Sequence, residues 1–303
     1  MRLILLHNPG SGEEDHSRAS LEKMLTDAGH DVVYRSLDDE GWSDALRGSG
    51  DVIVVAGGDG SVRKVLTAIG ESPTTVTLFP TGSANNIART LGFETDDPAR
   101  LLAGWEPATR VAYDVWEVEW AADGTRFVES VGGGLFADVL ALAEETRGEP
   151  GGDEKVERGL ELLDKVLETT SAGMWKLQFD GDLVHQELIG VEAMNVRELG
   201  PNLPLAPDAD PGDGLLDVVL LHPDDRPQLA AYVSARIRDE GADLLQLEVR
   251  RGTRLVIEPP AEHRAHADDV LSLSDSHASR RVEIRPAAAQ IEVLVPAITE
   301  QVT

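Results

Sequence analysis

The chain has 303 residues, a length that favours two domains, and at 41% hydrophobic residues it can bury full cores. It contains no cysteine, which excludes a disulfide framework, a zinc–thiolate site and a cysteine nucleophile. Its formal net charge is −28, with 55 acidic residues against 27 Lys and Arg, and the only lysines are Lys23, Lys64, Lys155, Lys165 and Lys176. Nucleic-acid binding needs a basic footprint that this composition lacks.

Self-repulsion at such a charge destabilises a compact state in dilute buffer. At 1 M salt the Debye length shrinks to ~3 Å, so the composition reads as adaptation to a salt-rich cytoplasm. An ordinary acidic protein from a GC-rich genome is the alternative. The first residues run straight into strand-like Arg2–Leu6 without a signal peptide. No apolar run approaches the ~20 residues of a membrane span. The expectation is a soluble cytoplasmic protein.

Strands and helices alternate at first. Leu3–His7 reads as a strand followed by the turn Asn8-Pro-Gly-Ser-Gly12, and Ser17–Ala28 as a helix ending at Gly29. Asp31–Ser36 is a second strand, Ser43–Arg47 a short helix, and Val52–Val55 a third strand that enters Ala56-Gly-Gly-Asp-Gly-Ser61. Ser61–Ile69 has helical spacing, Thr75–Phe79 is a fourth strand ending at Pro80, and a helix from about Asn85 to Leu91 stops at Gly92. This alternation predicts a parallel sheet with right-handed crossovers. Ligands then sit beyond the carboxyl ends of the strands, where the loops 8–12, 57–61 and 80–85 fall.

After about residue 109 strand patterns dominate. Val111–Trp120 reads as one long strand paired with Arg126–Val131, and helices follow over about Leu135–Glu145 and, beyond the loop Gly148–Gly152, Glu154–Thr169. Further strands are expected at Trp175–Phe179, Leu183–Val191, Leu215–Leu221, Leu245–Val249, Arg254–Ile257, Arg281–Ile284 and Ile291–Val295, with one helix from Pro227 to about Arg238. Many strands separated by Gly, Pro and Asp turns indicate a β-sandwich. The fold class is therefore α/β plus β. Residues 1–110 form the nucleotide-binding domain and 111–295 the sandwich, with a tail at about 296–303 that can return to the first domain.

A strand that runs through a glycine turn into a helix points backbone N–H groups at an anion. Asp59 inside that turn would repel a phosphate unless a metal or a positioned water lay between them, so the loop suggests a nucleoside triphosphate with Mg²⁺. A second constellation is Phe79-Pro-Thr-Gly-Ser-Ala-Asn-Asn-Ile-Ala-Arg89, where Gly82 and Ser83 suit a phosphate and Asn85 suits a helix cap. Arg63 and Lys64 sit one turn into the following helix; one of them could face a triphosphate, and surface solvation is the bland alternative. Trp116, Trp120 and Phe127 alternate as in a sandwich core, a lipid-chain groove being the alternative. Glu144, Glu145 and Asp153-Glu-Lys155 read as solvated helix faces.

The three loops, in this order, resemble the diacylglycerol kinase catalytic domain family, which includes bacterial diacylglycerol kinases, sphingosine kinases and ceramide kinases. Asp213-Gly-Leu-Leu-Asp-Val218 is similar to a later segment of that family, so the resemblance covers almost the whole chain. NAD kinases share Gly-Gly-Asp-Gly, but not the run Asn85–Arg89. The resemblance implies an ATP-binding domain and a β-sandwich domain, with ATP and acceptor meeting in a cleft, and phosphoryl transfer to a lipid hydroxyl. It implies that Asn8, Ser11, Gly57, Gly58, Asp59, Gly60, Gly82, Ser83 and Asn85 hold the nucleotide, that Asn85 and Arg89 brace the third loop, and that Asp59 and Asp213 serve the metal.

Two departures stand out. Asn86 replaces an aspartate that relatives can use in the metal network. The family's Asp-Gly-Glu, whose glutamate is the expected general base, is replaced by His266-Ala-Asp-Asp-Val-Leu271. Two of three possible registers place Asp269 at the base position, with Asp268 keeping the family aspartate in one of them. The third, ungapped register leaves the base position apolar. His266 is a candidate stand-in base, although a lone histidine near a strand is more often structural. The leading expectation is an ATP- and Mg²⁺-dependent lipid kinase, with Asp269 or Asp268 as base and Asp59 as a catalytic acid residue, acting on a lipid at a membrane surface. An NAD kinase-like enzyme and a non-catalytic nucleotide- or lipid-binding regulator are the alternatives. The acceptor and the oligomeric state, a homo-oligomer included, stay open.

Overall fold

The computed structural model describes residues 1–12, 16–48, 50–70, 74–120, 123–146, 153–271, 281–288 and 290–297. The chain divides into two compact units. One comprises Met1–Val115, Pro211–Asp213 and Ala288–Thr303, and the other Trp116–Asp210 and Gly214–Ala287.

The first unit opens as β1 (Arg2–His7), α1 (Arg18–Asp27), β2 (Asp31–Ser36), β3 (Val52–Gly57), α2 (Asp59–Ile69), β4 (Thr75–Pro80), α3 (Asn86–Leu91), α4 (Pro98–Ala103) and β5 (Thr109–Tyr113). β1 pairs in parallel with both β2 and β3, and β3 with β4. β3 and β4 are buried at every position, as strands covered on both faces should be, and their near-continuous Val/Ile/Leu run reflects that. Helix α1 starts where the Ser17 side chain accepts the Ser20 N–H. Helix α4, which the sequence pattern did not suggest, carries Asp97 as N-cap and Pro98 in its first turn. Ser43–Arg47, read as a helix, is a 3-10 helix over Trp42–Arg47.

The second unit contains β6 (Trp116–Trp120), β7 (Asp123–Phe127), β8 (Ser130–Gly134), α5 (Leu135–Glu145), α6 (Asp153–Thr169), β9 (Gly173–Phe179), β10 (Asp182–Leu188), β11 (Gly190–Met194), β12 (Leu216–Leu221), α7 (Arg226–Ile237), β13 (Glu248–Gly252), β14 (Leu255–Glu258), β15 (Ala265–Ala267), β16 (Val270–Leu271) and β17 (Val282–Pro286). Two six-stranded antiparallel sheets form, in the orders β10-β9-β14-β17-β6-β7 and β13-β12-β11-β8-β15-β16. Their inward side chains share one core that includes Trp116, Phe127, Trp175, Val131, Val191 and Val218. This is the expected sandwich, and it places Trp116 and Phe127 in its core; the Trp120 side chain lies outside the described residues.

Four strand expectations are corrected. Arg126–Val131 is not one strand but is divided between β7 and β8, which lie in different sheets. Val111–Trp120 is not one strand: at Asp114 the backbone N–H leaves the ladder and donates to Pro211 O at 2.6 Å, so β5 ends in one unit and β6 begins in the other. Leu183–Val191 breaks at Ile189, whose N–H donates to Leu221 O, and the chain passes from the β10 edge of one sheet to β11 inside the other. Ile291–Val295 is β18, which lies between β4 and β5 in the first unit's sheet rather than in the sandwich, parallel to β4 and antiparallel to β5. The sandwich boundaries of 111 and 295 therefore shift to 116 and 287. Of the tail, Ala297 donates its N–H to Gly104 O within the first unit, and residues from 298 lie outside the described set.

Candidate active site

The loops after β1, β3 and β4 lie side by side because those strands are parallel neighbours. They are fastened by short-range contacts. The Asn8 N–H donates to Ala56 O at 2.9 Å and its Nδ2 to Ser61 Oγ at 3.3 Å. Ser11 Oγ lies 2.9 Å from Thr81 Oγ1, and the Thr81 N–H donates to Gly57 O at 3.1 Å. A Cβ added at Gly82 would lie 2.4 Å from the Gly58 Cα, and one at Gly57 would strike Ser61 at 2.4 Å. The backbones of two loops thus approach at a distance only glycine permits. Gly60 and Ser83 are exposed on the same loops. Asn8, Ser11, Gly57, Gly58, Asp59, Gly60, Gly82, Ser83 and Asn85 are brought together on these three adjoining loops.

The cap of α3 that the sequence offered to Asn85 comes from Asp59 instead. Asn85 adopts the left-handed conformation (φ 52°, ψ 41°) at the N-cap of α3, yet its side chain turns back on its own loop. Oδ1 accepts the Gly82 N–H at 3.0 Å, and Nδ2 donates to Gly82 O at 2.7 Å and to Pro80 O at 3.3 Å. It braces its loop, as the family resemblance implied, and does not cap the helix. The cap comes from the neighbouring loop, where Asp59 Oδ1 accepts the Ile87 N–H at 3.0 Å. Burial raises the Asp59 carboxyl above its ordinary value, opposed by N–H groups of Ile87, Asn86 and Asn85. Asn86 is buried at the start of α3, and Arg89 is exposed. Lys64 does not turn to the loops: its Nζ donates to Leu37 O and lies over the Trp42 ring. Arg63 is half-buried.

Asp213 is exposed and belongs to the first unit, as Asp59 does. Its segment is tied to the end of β5 by Gln290, whose Nε2 donates to Asp114 Oδ1 at 2.6 Å and to Gly212 O at 3.3 Å. Asp114 is a buried carboxylate beside this segment that the sequence reading passed over. Its only signal was a break in the hydrophobic alternation of Val111–Trp120. Among the described residues no group of three or more His, Cys, Asp or Glu side chains could hold a metal by itself.

In the second unit the sequence-predicted base segment is a hairpin. Asp268 and Asp269 are the two central residues between β15 and β16, with Ala267 paired to Val270. Asp268 is buried in the left-handed region (φ 49°), while Asp269 is exposed. The Asp268 carboxylate accepts the N–H groups of Glu129 at 2.9 Å, Ser130 at 3.2 Å and Val128 at 3.2 Å. These donors assign the carboxylate to holding the turn. His266 is 1% exposed with both ring nitrogens engaged, Nδ1 on Asp268 O at 2.8 Å and Nε2 on Glu192 Oε1 at 2.9 Å. It therefore cannot serve as the stand-in base, because neither nitrogen faces an incoming hydroxyl.

Residues 2–118 match the diacylglycerol kinase catalytic domain, and residues 130–293 match the YegS C-terminal NAD kinase beta sandwich-like domain. The chain belongs to the diacylglycerol kinase family of lipid kinases. It is 30% identical over 227 residues to a YegS-like lipid kinase homologue of Pseudomonas fluorescens, covering 72% of each chain. It is 22% identical over 249 residues to a diacylglycerol kinase of Bacillus subtilis, covering 79% of this chain and 80% of the other. In fold it is similar to the crystal structure of a diacylglycerol kinase from Bacillus anthracis, with a TM-score of 0.68 at 19% identity over 97% of this chain and 96% of that one. An NAD kinase from Archaeoglobus fulgidus, solved in complex with ATP, shares the fold at a TM-score of 0.54 and 11% identity over 98% and 94% of the two chains. The kinase has no helix among its described residues long and apolar enough to cross a membrane.

Proposed function

We propose that this lipid kinase takes its phosphoryl group from ATP with Mg²⁺ and transfers it to a hydroxyl of a diacylglycerol-like lipid, working from the cytoplasm at a membrane surface. The observation that carries the nucleotide half is the contact of two glycine loops, Gly58 against Gly82, at the carboxyl ends of β3 and β4. Side chains there would force the two loops apart, and the helix α2 opens at that point with its positive dipole end. The donor set also fits Mg²⁺. That ion keeps several waters and takes one or two carboxylates plus phosphate oxygens rather than an all-protein cage, and Asp59 with Asp213 would supply them.

ATP supplies the transferable phosphoryl group and Mg²⁺ offsets its developing charge. The rest falls to the chain. Asn8 and Ser11 hold the first loop against the second and third, and Asn85 fixes the Gly82 turn. Asp59 stays desolvated and oriented by the N–H groups of α3. The Asp269 carboxylate, the exposed member of its turn, takes the acceptor proton at Oδ. Aspartate is one methylene shorter than the glutamate of relatives, so the hydroxyl must approach closer or through a water.

The charge of −28 sits with this reading at high ionic strength, where repulsion from an anionic membrane is short-ranged. The test is incubation of the kinase with labelled ATP and either NAD or a mixed lipid extract, at high and low salt. Label in lipid supports the proposal; label in NAD assigns the enzyme to soluble-substrate kinases instead.

A further inference from the structure

We infer that Glu192 and His266 are positioning residues for the reaction: they lock the Asp268–Asp269 turn from beneath and so aim Asp269. The inference rests on the proposed role of Asp269 as general base.

The two side chains come from strands that are not neighbours. Glu192 on β11 and His266 on β15 are both paired with Gly132 of β8 and form one row across three strands. They meet over that residue because it has no side chain. A Cβ at Gly132 would lie 2.6 Å from Glu192 Cδ and 2.1 Å from Val191 O. Both are buried, Glu192 at 0% and His266 at 1%. A buried ion pair is a poor way to gain stability, since apolar residues of similar volume usually do as well or better. Among the described residues Glu192 Oε2 and Ser130 Oγ also find no protein hydrogen-bond partner. The arrangement is costly, and geometry shows what it holds.

The Asp268 carbonyl can only accept, so His266 Nδ1 must carry a proton and donate it at 2.8 Å. Glu192 on the other nitrogen fixes the ring plane in which that donation happens. Burial opposes the charged imidazole, but the Glu192 carboxylate and the Asp268 carbonyl raise its pKa above the usual value. Asp268 is thereby held through every polar group it has. Its N–H donates to Ser130 O at 2.7 Å, its carboxylate accepts three backbone N–H groups, and its carbonyl accepts from His266. A non-glycine residue at φ 49° persists only where its surroundings over-determine it. The next residue in the chain is Asp269.

The test compares His266→Gln, His266→Asn and Asp269→Asn, using labelled ATP and mixed lipid extract at saturating salt. Asparagine places an amide N–H near the Nδ1 position and glutamine near Nε2. His266→Gln should lower turnover roughly tenfold or more, in keeping with the sensitivity of catalysis to small misplacements, while KM for ATP is unchanged. His266→Asn should recover most of that loss. Independently of activity, ¹⁵N-histidine spectra of the wild-type protein should show a slowly exchanging proton on His266 Nδ1. Equal turnover in His266→Gln and wild type, with Asp269→Asn inactive, overturns the inference and leaves the base assignment standing. So does an unprotonated Nδ1, or a His266→Asn protein as impaired as His266→Gln. If neither His266 variant folds, the pair is purely structural and the inference is overturned. Full turnover in Asp269→Asn overturns the base assignment itself, and the inference with it.

Discussion

The two halves of the proposed chemistry are built from different material. In the first unit the groups proposed to meet the nucleotide are backbone and small side chains: glycines 57, 58, 60 and 82, with Ser11 and Ser83. In the second unit the turn that carries Asp269 is set by long-range contacts of Asp268: its side chain accepts the backbone N–H groups of Val128–Ser130, and its carbonyl meets His266, which Glu192 holds. A phosphate needs convergent N–H groups, which any sequence provides once the chain can bend tightly. A general base needs one carboxylate in one place, which takes a network. The first region should therefore tolerate no added volume at Gly57, Gly58 and Gly82, and the second should tolerate volume but not the loss of a donor.

The largest effect should follow from Gly82→Ala. Its Cβ would lie 2.4 Å from a backbone atom of Gly58, and no rotamer relieves that. Turnover should fall about 100-fold or more with a matching rise in KM for ATP. A KM within twofold of wild type would show that the loops do not hold the nucleotide. Asp59→Asn should cost turnover on the order of 100-fold as well, but with the melting temperature unchanged or raised. The amide oxygen can still accept the Ile87 N–H, and the desolvated charge that raises the carboxyl pKa is gone. A clear drop in melting temperature at full activity would make Asp59 a structural cap only. Asp269→Asn should lower turnover about 100-fold, the lower range for removal of a general base, with KM for ATP preserved.

This contrast also explains what was legible in the sequence. The loops at 8–12, 57–61 and 80–85 announce themselves because Gly, Pro and Asn mark backbone conformations locally, and parallel strand order brings them together. That Asp59 rather than Asn85 caps α3 was hidden, because either residue suits a cap and only the proximity of the two loops decides which one bonds Ile87. Asp114 was hidden inside a pattern that alternates like one strand, and β18 inside a run of sandwich-like strands. The Glu192–His266 pair was the least visible. Its members are 74 residues apart and meet over Gly132, whose small size has no meaning until the register is known.

The smallest effect concerns pH. The folded-state pKa of His266 lies above the 6.5 of free histidine. Its contribution to stability is therefore fully present below pH 6.5 and is lost as pH rises through the folded value. Between pH 6 and 9 the wild-type melting temperature should fall relative to a His266→Asn, Glu192→Gln double variant, in which neither member of the pair titrates. Parallel curves for the two proteins would show that the pair is not charged in the fold.

The central claim, that the backbone cradle of the first unit and the clamped turn of the second serve phosphoryl transfer from ATP to a lipid, is tested most directly by one measurement. The kinase is incubated at high salt with γ-¹⁸O-labelled ATP, Mg²⁺, NAD and a mixed lipid extract, and the products are read by mass spectrometry. The account predicts that one hydroxyl-bearing lipid class gains a labelled phosphoryl group while NAD does not. Labelled phosphate on NAD, or ATP bound with every lipid left unchanged, would contradict it.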